Sequence, residues 1–459
     1  MTAGHPPVNS RSIRRIVVTI PVIIAASLPG AFAQGAGSLQ PPGGLMRGAA
    51  ADPNARQRLD VSVASTGGYD VNSAADPSTI GVNGQDPTGY STLLQSALDY
   101  SFRGHTVTAR ANGSSVQRYF RPDGHVVPAD FRSIGHTGGV DLSVHSARTA
   151  LQINATGAYS GSPLYALVLP VPQEGETYTP VASRDVGVSD FNSLTYGTTV
   201  MLSHGLSRRS AVSVGVDWRR TDTTGTPDIH RELNTYGARG QVARRIGRSM
   251  TTTAMYAYRL GEMKDSDPRL LPWRMPEHRA ELAIDYRHPL SRTRRVTFGA
   301  RVGASSMVVP ELIPGEGARG RRDNPFSTDL SAGFEFTRTW RLRSAYRQSV
   351  DYVPGLSEPI SGKSLTTTIE GLVSRRIDVS LSGGYATGES AISNATSAYE
   401  TYNAEGRLRC ALSRTTAAYV EYVRYLYDSR GTLPLGPGVP MLLERQGVRA
   451  GVMMRLPLF

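Results

Sequence analysis

Residues 281–303 read ELAIDYRHPLSRTRRVTFGARVG, and this stretch decides the fold. On one side of its centre Leu282, Ile284 and Tyr286 alternate with Glu281, Asp285 and Arg287. On the other, Val296, Phe298, Ala300 and Val302 alternate with Thr297, Gly299, Arg301 and Gly303. A period of two sends the two sets to opposite faces of a strand. The basic tetrapeptide Leu290-Ser291-Arg292-Thr293 between them reads as a tight turn.

The same unit recurs along the chain. Turns of this kind stand at 102–105, 145–148, 205–208, 246–249, 337–340, 374–377 and 412–415. Val212, Val214, Val216 and Trp218 against Ser213, Asp217 and Arg219 repeat the alternation, as do Leu330, Ala332, Phe334 and Phe336 against Ser331, Glu335 and Thr337. Eight turns link nine hairpins, which makes eighteen strands of about twenty-two residues each with their connections, enough for nine to eleven residues per crossing. Short turns on one side and long polar connections on the other predict an all-β fold, a transmembrane antiparallel up-and-down β-barrel whose closure removes every unpaired edge. A soluble sandwich also alternates, but it does not call for an export signal or for so many long, uniformly paired strands.

The N-terminus has the layout of such a signal. Arg11, Arg14 and Arg15 precede the apolar run IVVTIPVIIAASL at 16–28, and Ala31-Phe32-Ala33 supplies small residues for cleavage before Gln34. That run is too short, and too interrupted by Pro21, to span a bilayer. The expected organisation is therefore a signal peptide at 1–33, a Gly/Pro/Ala-rich periplasmic lead at 34–57 and the barrel at 58–459. Export by the ordinary secretory route fits better than the twin-arginine route, since paired arginines are common in Arg-rich chains.

Composition narrows the class further. Mean hydropathy is −0.27, which a barrel tolerates because its wall needs apolar side chains only at alternate positions. The single cysteine, Cys410, rules out an intrachain disulfide and paired-Cys metal sites. Cleavage removes three arginines and no acid, taking the net charge from +12 to +9. Only Lys264 and Lys363 are lysines and the arginines are dispersed, so no stripe for nucleic acid forms, and nucleic acid is not an expected partner.

The secretion signal, the hairpin pattern and the terminal Phe459 resemble bacterial outer-membrane β-barrel proteins of the porin-like kind. The resemblance covers the mature chain and rests on architecture. It implies residence in the bacterial outer membrane, contact with lipid and lipopolysaccharide, and insertion by the barrel-assembly machinery, which reads a terminal aromatic in phase with the apolar residues before it. Here Val448, Ala450, Val452, Met454, Leu456 and Leu458 are one residue out of phase with Phe459, and Pro457 is the place where a bulge would reset that phase. The resemblance also implies that the third outer loop, 160–190, folds inward as an acidic constriction carrying Glu174 and Glu176.

The inward phase collects charge. Candidate pore-lining residues are Asp217, Arg219, Glu281, Asp285, Arg287, Arg301, Glu335, Arg341, Arg343 and Arg347, the last three forming a basic ladder on one strand. Two readings stand: a self-compensating network of ion pairs, or a polar pore whose charges filter solutes. Enzyme signals are weak. Thr88-Gly89-Tyr90-Ser91-Thr92 lacks the last glycine of a nucleophile elbow, and Gly362-Lys363-Ser364 has Ser357 where a P-loop needs glycine. No histidine pair has metal-ligand spacing on one face, so no catalytic residue, cofactor or metal is expected. The expected function is a channel for passive diffusion of small hydrophilic solutes. The alternatives are a barrel that exports or anchors a surface polysaccharide, for which a stacked tyrosine track in the lumen would speak, and a structural barrel with a closed lumen.

Overall fold

The computed structural model describes residues 56–71, 88–123, 131–160, 192–225, 229–266, 272–308 without 292, 322–323, 325–352 without 338, 359–391, 398–430 and 442–458. They form β1 (Gln57–Val71), β2 (Gly89–Arg103), β3 (Val107–Pro122), β4 (Phe131–His145), β5 (Thr149–Ser160), β6 (Asn192–Gly205), β7 (Ser210–Gly225), β8 (Ile229–Ile246) and β9 (Met250–Asp265). The second half supplies β10 (Trp273–Pro289), β11 (Arg295–Val308), β12 (Phe326–Glu335), β13 (Arg341–Asp351), β14 (Ile360–Leu372), β15 (Ile377–Ser390), β16 (Ala398–Ala411), β17 (Thr416–Arg430) and β18 (Leu442–Pro457). A two-residue piece, Arg322–Asp323, extends the pairing of β11.

Each strand pairs antiparallel with the next, and β18 pairs with β1, closing an eighteen-strand barrel. All eight expected turns are present between even- and odd-numbered strands. Several close through a hydroxyl: Ser207 Oγ accepts from the amides of Arg209 and Ser210, and Ser291, Ser374 and Ser413 do the same at their own turns. A small side chain that accepts two backbone N–H groups holds a two- to four-residue turn without help from tertiary contacts. Gly247 takes φ of 74° in the β8–β9 turn, a conformation glycine adopts without steric cost.

The exterior is apolar at alternate positions. Leu282 is 65% exposed and Val214 58%, and Val63, Leu98, Val302, Leu381, Leu408, Val420 and Val452 share that outward phase. Aromatic pairs mark one rim: Tyr69–Tyr90 at 5.2 Å, Tyr196–Trp218 at 5.5 Å and Tyr385–Tyr402 at 4.8 Å. On the other rim, beside the short turns, lie Tyr286, Phe334–Phe336 at 4.4 Å and Trp340, whose Nε1 donates to Leu372 O at 2.9 Å. From His278 at the outer rim to Tyr286 at the inner rim, β10 advances eight residues, about 26 Å of strand, which suits a tilted crossing of the hydrocarbon. Such a belt, bounded by aromatic girdles, is the exterior of a membrane-spanning barrel.

The bulge expected at Pro457 is absent. Leu456 pairs with Val61, Pro457 with Asp60, and the Leu458 amide donates to Leu59 O at 2.8 Å, so the ladder runs through without an inserted residue. Proline is accommodated because it stands at the strand end, where its missing N–H costs no ladder bond. The outward phase of β18 therefore continues to Leu458, which is exposed.

Candidate functional site

Every candidate pore-lining residue belongs to the inward phase defined by strand pairing. Arg301 stands opposite Asp329, Asp329 opposite Arg347, and Arg341 opposite both Glu335 and Glu370. Arg341, Arg343 and Arg347 share one parity on β13 but differ in their charge partners. Arg341 is paired with Glu370, while Arg347 donates to Ser349 Oγ at 3.0 Å and lies 3.2 Å from Asp351. Arg343 is exposed and makes no ion pair among the described residues. Asp217 lies over Gly237 and Arg219 over Gly197, each occupying the space that a Cβ there would need. Asp285 and Arg287 are exposed near the inner rim, and Glu335 is 3.8 Å from Arg295. Glu174 and Glu176 fall outside the described residues.

Three charge clusters form on the inward phase, and the third gathers Asp378, Glu405, Arg407 and Arg409, which the alternation in the sequence already places inward. Near the outer end of β1, Asp70 is wholly buried and receives Arg445 Nη2 at 2.6 Å, Arg449 Nη2 at 2.9 Å and Arg118 Nη2 at 3.5 Å. Gly447 and Gly68 make room for it: a Cβ at Gly447 would meet the Asp70 carboxylate at 2.1 Å, and one at Gly68 would meet Arg449 at 2.4 Å. On β9 and β10, Glu277 accepts from Arg259 Nε at 2.8 Å and from Arg279 Nη2 at 2.8 Å. On β15 to β17, Asp378 accepts from Arg409 at 2.9 Å, and Arg407 bridges Glu405 at 3.0 Å and Glu421. The Asp70 and Glu277 clusters share the parity of the expected lining, but they sit toward the outer ends, where strands of up to 18 residues run past the ten or so that a crossing requires. Extending the period beyond the membrane segment is the signal that would have found these two.

The lumen also contains apolar and aromatic side chains. At the outer end of β13, Tyr352 crosses to β9 and β10, where its ring stacks on Trp273 at 5.8 Å, fits over Gly261 and lies under the Arg259 guanidinium at 4.6 Å. Arg259 Nη2 also donates to Val350 O at 2.8 Å. Met263, Met275, Met307 and Val350 complete a buried cluster inside the barrel. The strap thus joins strands separated by β11 and β12. Most described tyrosines face outward as expected, yet Tyr399, Tyr419, Tyr425 and Tyr427 point inward from β16 and β17, with Tyr399 and Tyr427 stacked at 6.3 Å.

One histidine stands in a ligand-type cluster that the expectation about histidine pairs did not cover. Asp222, His230 and Glu232 bring ligand-type atoms within 4.8 Å of one another on the outer face of β7 and β8. Cross-strand pairing of Thr224 with His230 and of Asp222 with Glu232 unites them, which linear spacing does not reveal. Arg220 occupies this group, 3.1 Å from both Asp222 and Glu232, so a guanidinium already supplies the cation that the two carboxylates require.

The described geometry is that of a closed, membrane-spanning eighteen-strand barrel. No protein-family model matches the chain, and no curated protein sequence matches it. Among solved structures, OccK7 (OpdD) of Pseudomonas aeruginosa is 10% identical, covers 88% of this chain and 100% of its own, and superposes with a TM-score of 0.43. The FrpB iron transporter of Neisseria meningitidis, in its apoprotein form, is 7% identical over 88% of this chain and 81% of its own, at a TM-score of 0.44. OccAB4 of Acinetobacter baumannii is 11% identical over 89% and 100%, at a TM-score of 0.40. Strand pairing and the apolar exterior carry the assignment of the architecture.

Proposed function

We propose that the protein is an outer-membrane channel through which small hydrophilic solutes diffuse passively along a charged lumen. The observation that carries this reading is the inward phase of a closed eighteen-strand barrel, a size that leaves an aqueous interior, with Arg343 exposed in it and unpaired among the described residues. Many of the other described carboxylates and guanidiniums pair with one another along the wall. Arg343 adds charge that a passing ion meets without a fixed partner, so the conduction pathway favours anions.

Reversal potentials of the purified protein in planar bilayers under a salt gradient test this. The wild type is expected to prefer anions, R343Q to lose most of that preference, and the triple change R341Q/R343Q/R347Q to move further toward cations, because it also strips Glu370 and Asp351 of partners. Deleting 164–176, the segment proposed as a constriction, should raise conductance. A folded protein, judged by heat-modifiable migration, that conducts nothing with or without that segment would sink the channel reading.

The inward tyrosines of β16 and β17 favour a second reading, a barrel through which a surface glycan passes, since sugar faces pack on aromatic rings. Current block by long oligosaccharides, relieved in Y399A/Y427A, would move weight to it.

A further inference from the structure

Every one of the eight short turns carries arginine, and none carries an aspartate or a glutamate. The connections at the other end of the barrel have the opposite character: 72–88, 161–191 and 309–321 together hold eight acids and three arginines. A general excess of arginine in the chain would fall on both ends alike. Arg148, Arg208, Arg248, Arg375 and Arg414 are exposed on their turns and form no ion pair with any described residue. They lie beyond the strand ladder, so the charge network of the lumen does not account for them.

An apolar side chain accompanies most of these arginines. Leu206, Ile246, Leu290, Val373 and Leu412 each stand two residues ahead of one. All five are 49–61% exposed, and each continues the lipid-facing phase of its strand, as Leu290 does after Leu282, Ile284 and Tyr286. Between the two stands a serine or, at 247, a glycine, and the serine hydroxyls pin their turns by accepting amides within them. The backbone therefore presents both side chains from a fixed position, beside the girdle of Tyr286, Phe336 and Trp340. Such a pairing suits a membrane interface, where the aliphatic group reaches the acyl chains and the guanidinium stays at the level of the headgroups.

The arrangement of the ring decides which anion it meets. A soluble acidic partner docks on one side of a barrel or across its mouth, and leaves the remaining turns uncovered. A leaflet encircles the barrel and meets all eight turns at once. The aliphatic side chains agree, since they point outward to lipid and away from the mouth. Guanidinium binds phosphate through paired N–H donors, and an anionic membrane surface draws such groups to it.

We propose that the turn-side rim is a docking surface for anionic phospholipids, whose phosphates are held by the turn arginines while their acyl chains pack on the aliphatic side chains two residues before. This goes beyond the channel reading and stands whether or not the lumen conducts.

The positions of the tryptophans allow a local test. Trp340 lies beside the 373–376 turn, its Nε1 donating to Leu372 O, while Trp218 stands at the opposite rim and Trp273 in the lumen. In proteoliposomes of dioleoylphosphatidylcholine, Trp340 fluorescence is read in a W218F/W273F background. A minor fraction of the lipid is either phosphatidylglycerol or phosphatidylcholine brominated on its acyl chains, and the quenching gives the relative association of each. Phosphatidylglycerol should associate beside Trp340 about fivefold or more tightly than phosphatidylcholine, and R375Q/R376Q should lose most of that preference. Trp218, read alone in W273F/W340F, should show little preference. Heat-modifiable migration establishes that each variant is folded, and R338Q, in the turn that carries Trp340, keeps the test decisive should R375Q/R376Q not fold. Equal quenching of Trp340 by the two lipids, an undiminished preference in a folded turn variant, or an equally large preference at Trp218 would each overturn the proposal.

Discussion

Ile284 points at lipid and Asp285, the next residue, points at the lumen, so adjacent side chains live in different solvents. Replacing Ile284 or Val214 with Arg is expected to cost about 2–4 kcal/mol if the charge sits near the bilayer midplane, whereas Arg at inward Thr297 is tolerated. Denaturant-driven unfolding in lipid, followed by migration on gels, measures the contrast. Asp70 makes a sharper case. D70A removes the one carboxylate shared by three buried guanidiniums, and breaking a buried pair in this way typically costs about 3–5 kcal/mol. The same unfolding assay should show D70A among the least stable single variants, while D222A on the outer face changes little. Which residues face inward was legible in the sequence, because the parity of Glu281, Arg301 and Arg347 follows from the period alone. Which of them remain uncompensated was not. Arg341 and Arg343 look alike in sequence, and only the register against Glu370 separates them.

Among the elements, β13 departs most from a plain wall strand. Its ladder with β14 runs to Asp351, and the next side chain, Tyr352, reaches across to β9 and β10, where Gly261 receives it: a Cβ at that glycine would meet the ring at 2.6 Å. G261V is therefore expected to expel Tyr352 and free the end of β13, speeding amide hydrogen exchange at 349–352 by about tenfold or more while the centre of β10 stays protected. Unchanged exchange would mean that the strap is held by other contacts. The eight turns were readable because Arg together with Ser, Thr or Gly stands between two alternating runs, and a turn is a local event. The strap was not readable, since it depends on a glycine and a tyrosine ninety-one residues apart meeting across the barrel. Pro457 taught the converse: a residue that breaks strand interiors is harmless at the last rung of the ladder.

For the molecule as a whole, an even number of strands puts both ends of the barrel on the side of the short turns, and the longer connections on the other. An epitope inserted in 309–321 should be detected on intact cells, and detection only after permeabilisation would invert the topology. Closure and strand number were legible because alternation and turns recur without a break from β1 to β18. The cluster around Glu281 was only half legible, because its charges were in view while their standoff distances from Arg279 and Arg301 arise from three dimensions. The most direct test of a water-filled, charge-lined lumen behind a lipid-facing wall is single-cysteine labelling in proteoliposomes, in a C410S background, with a charged, membrane-impermeant thiol reagent. The inward substitutions D285C, T297C, R301C and R343C should react rapidly, and the outward substitutions L282C, I284C, F298C and V302C should stay protected. Inward cysteines that remain unlabelled would show a dry interior, outward cysteines that react as fast as their neighbours would show that the wall is assigned wrongly, and either result would contradict the account.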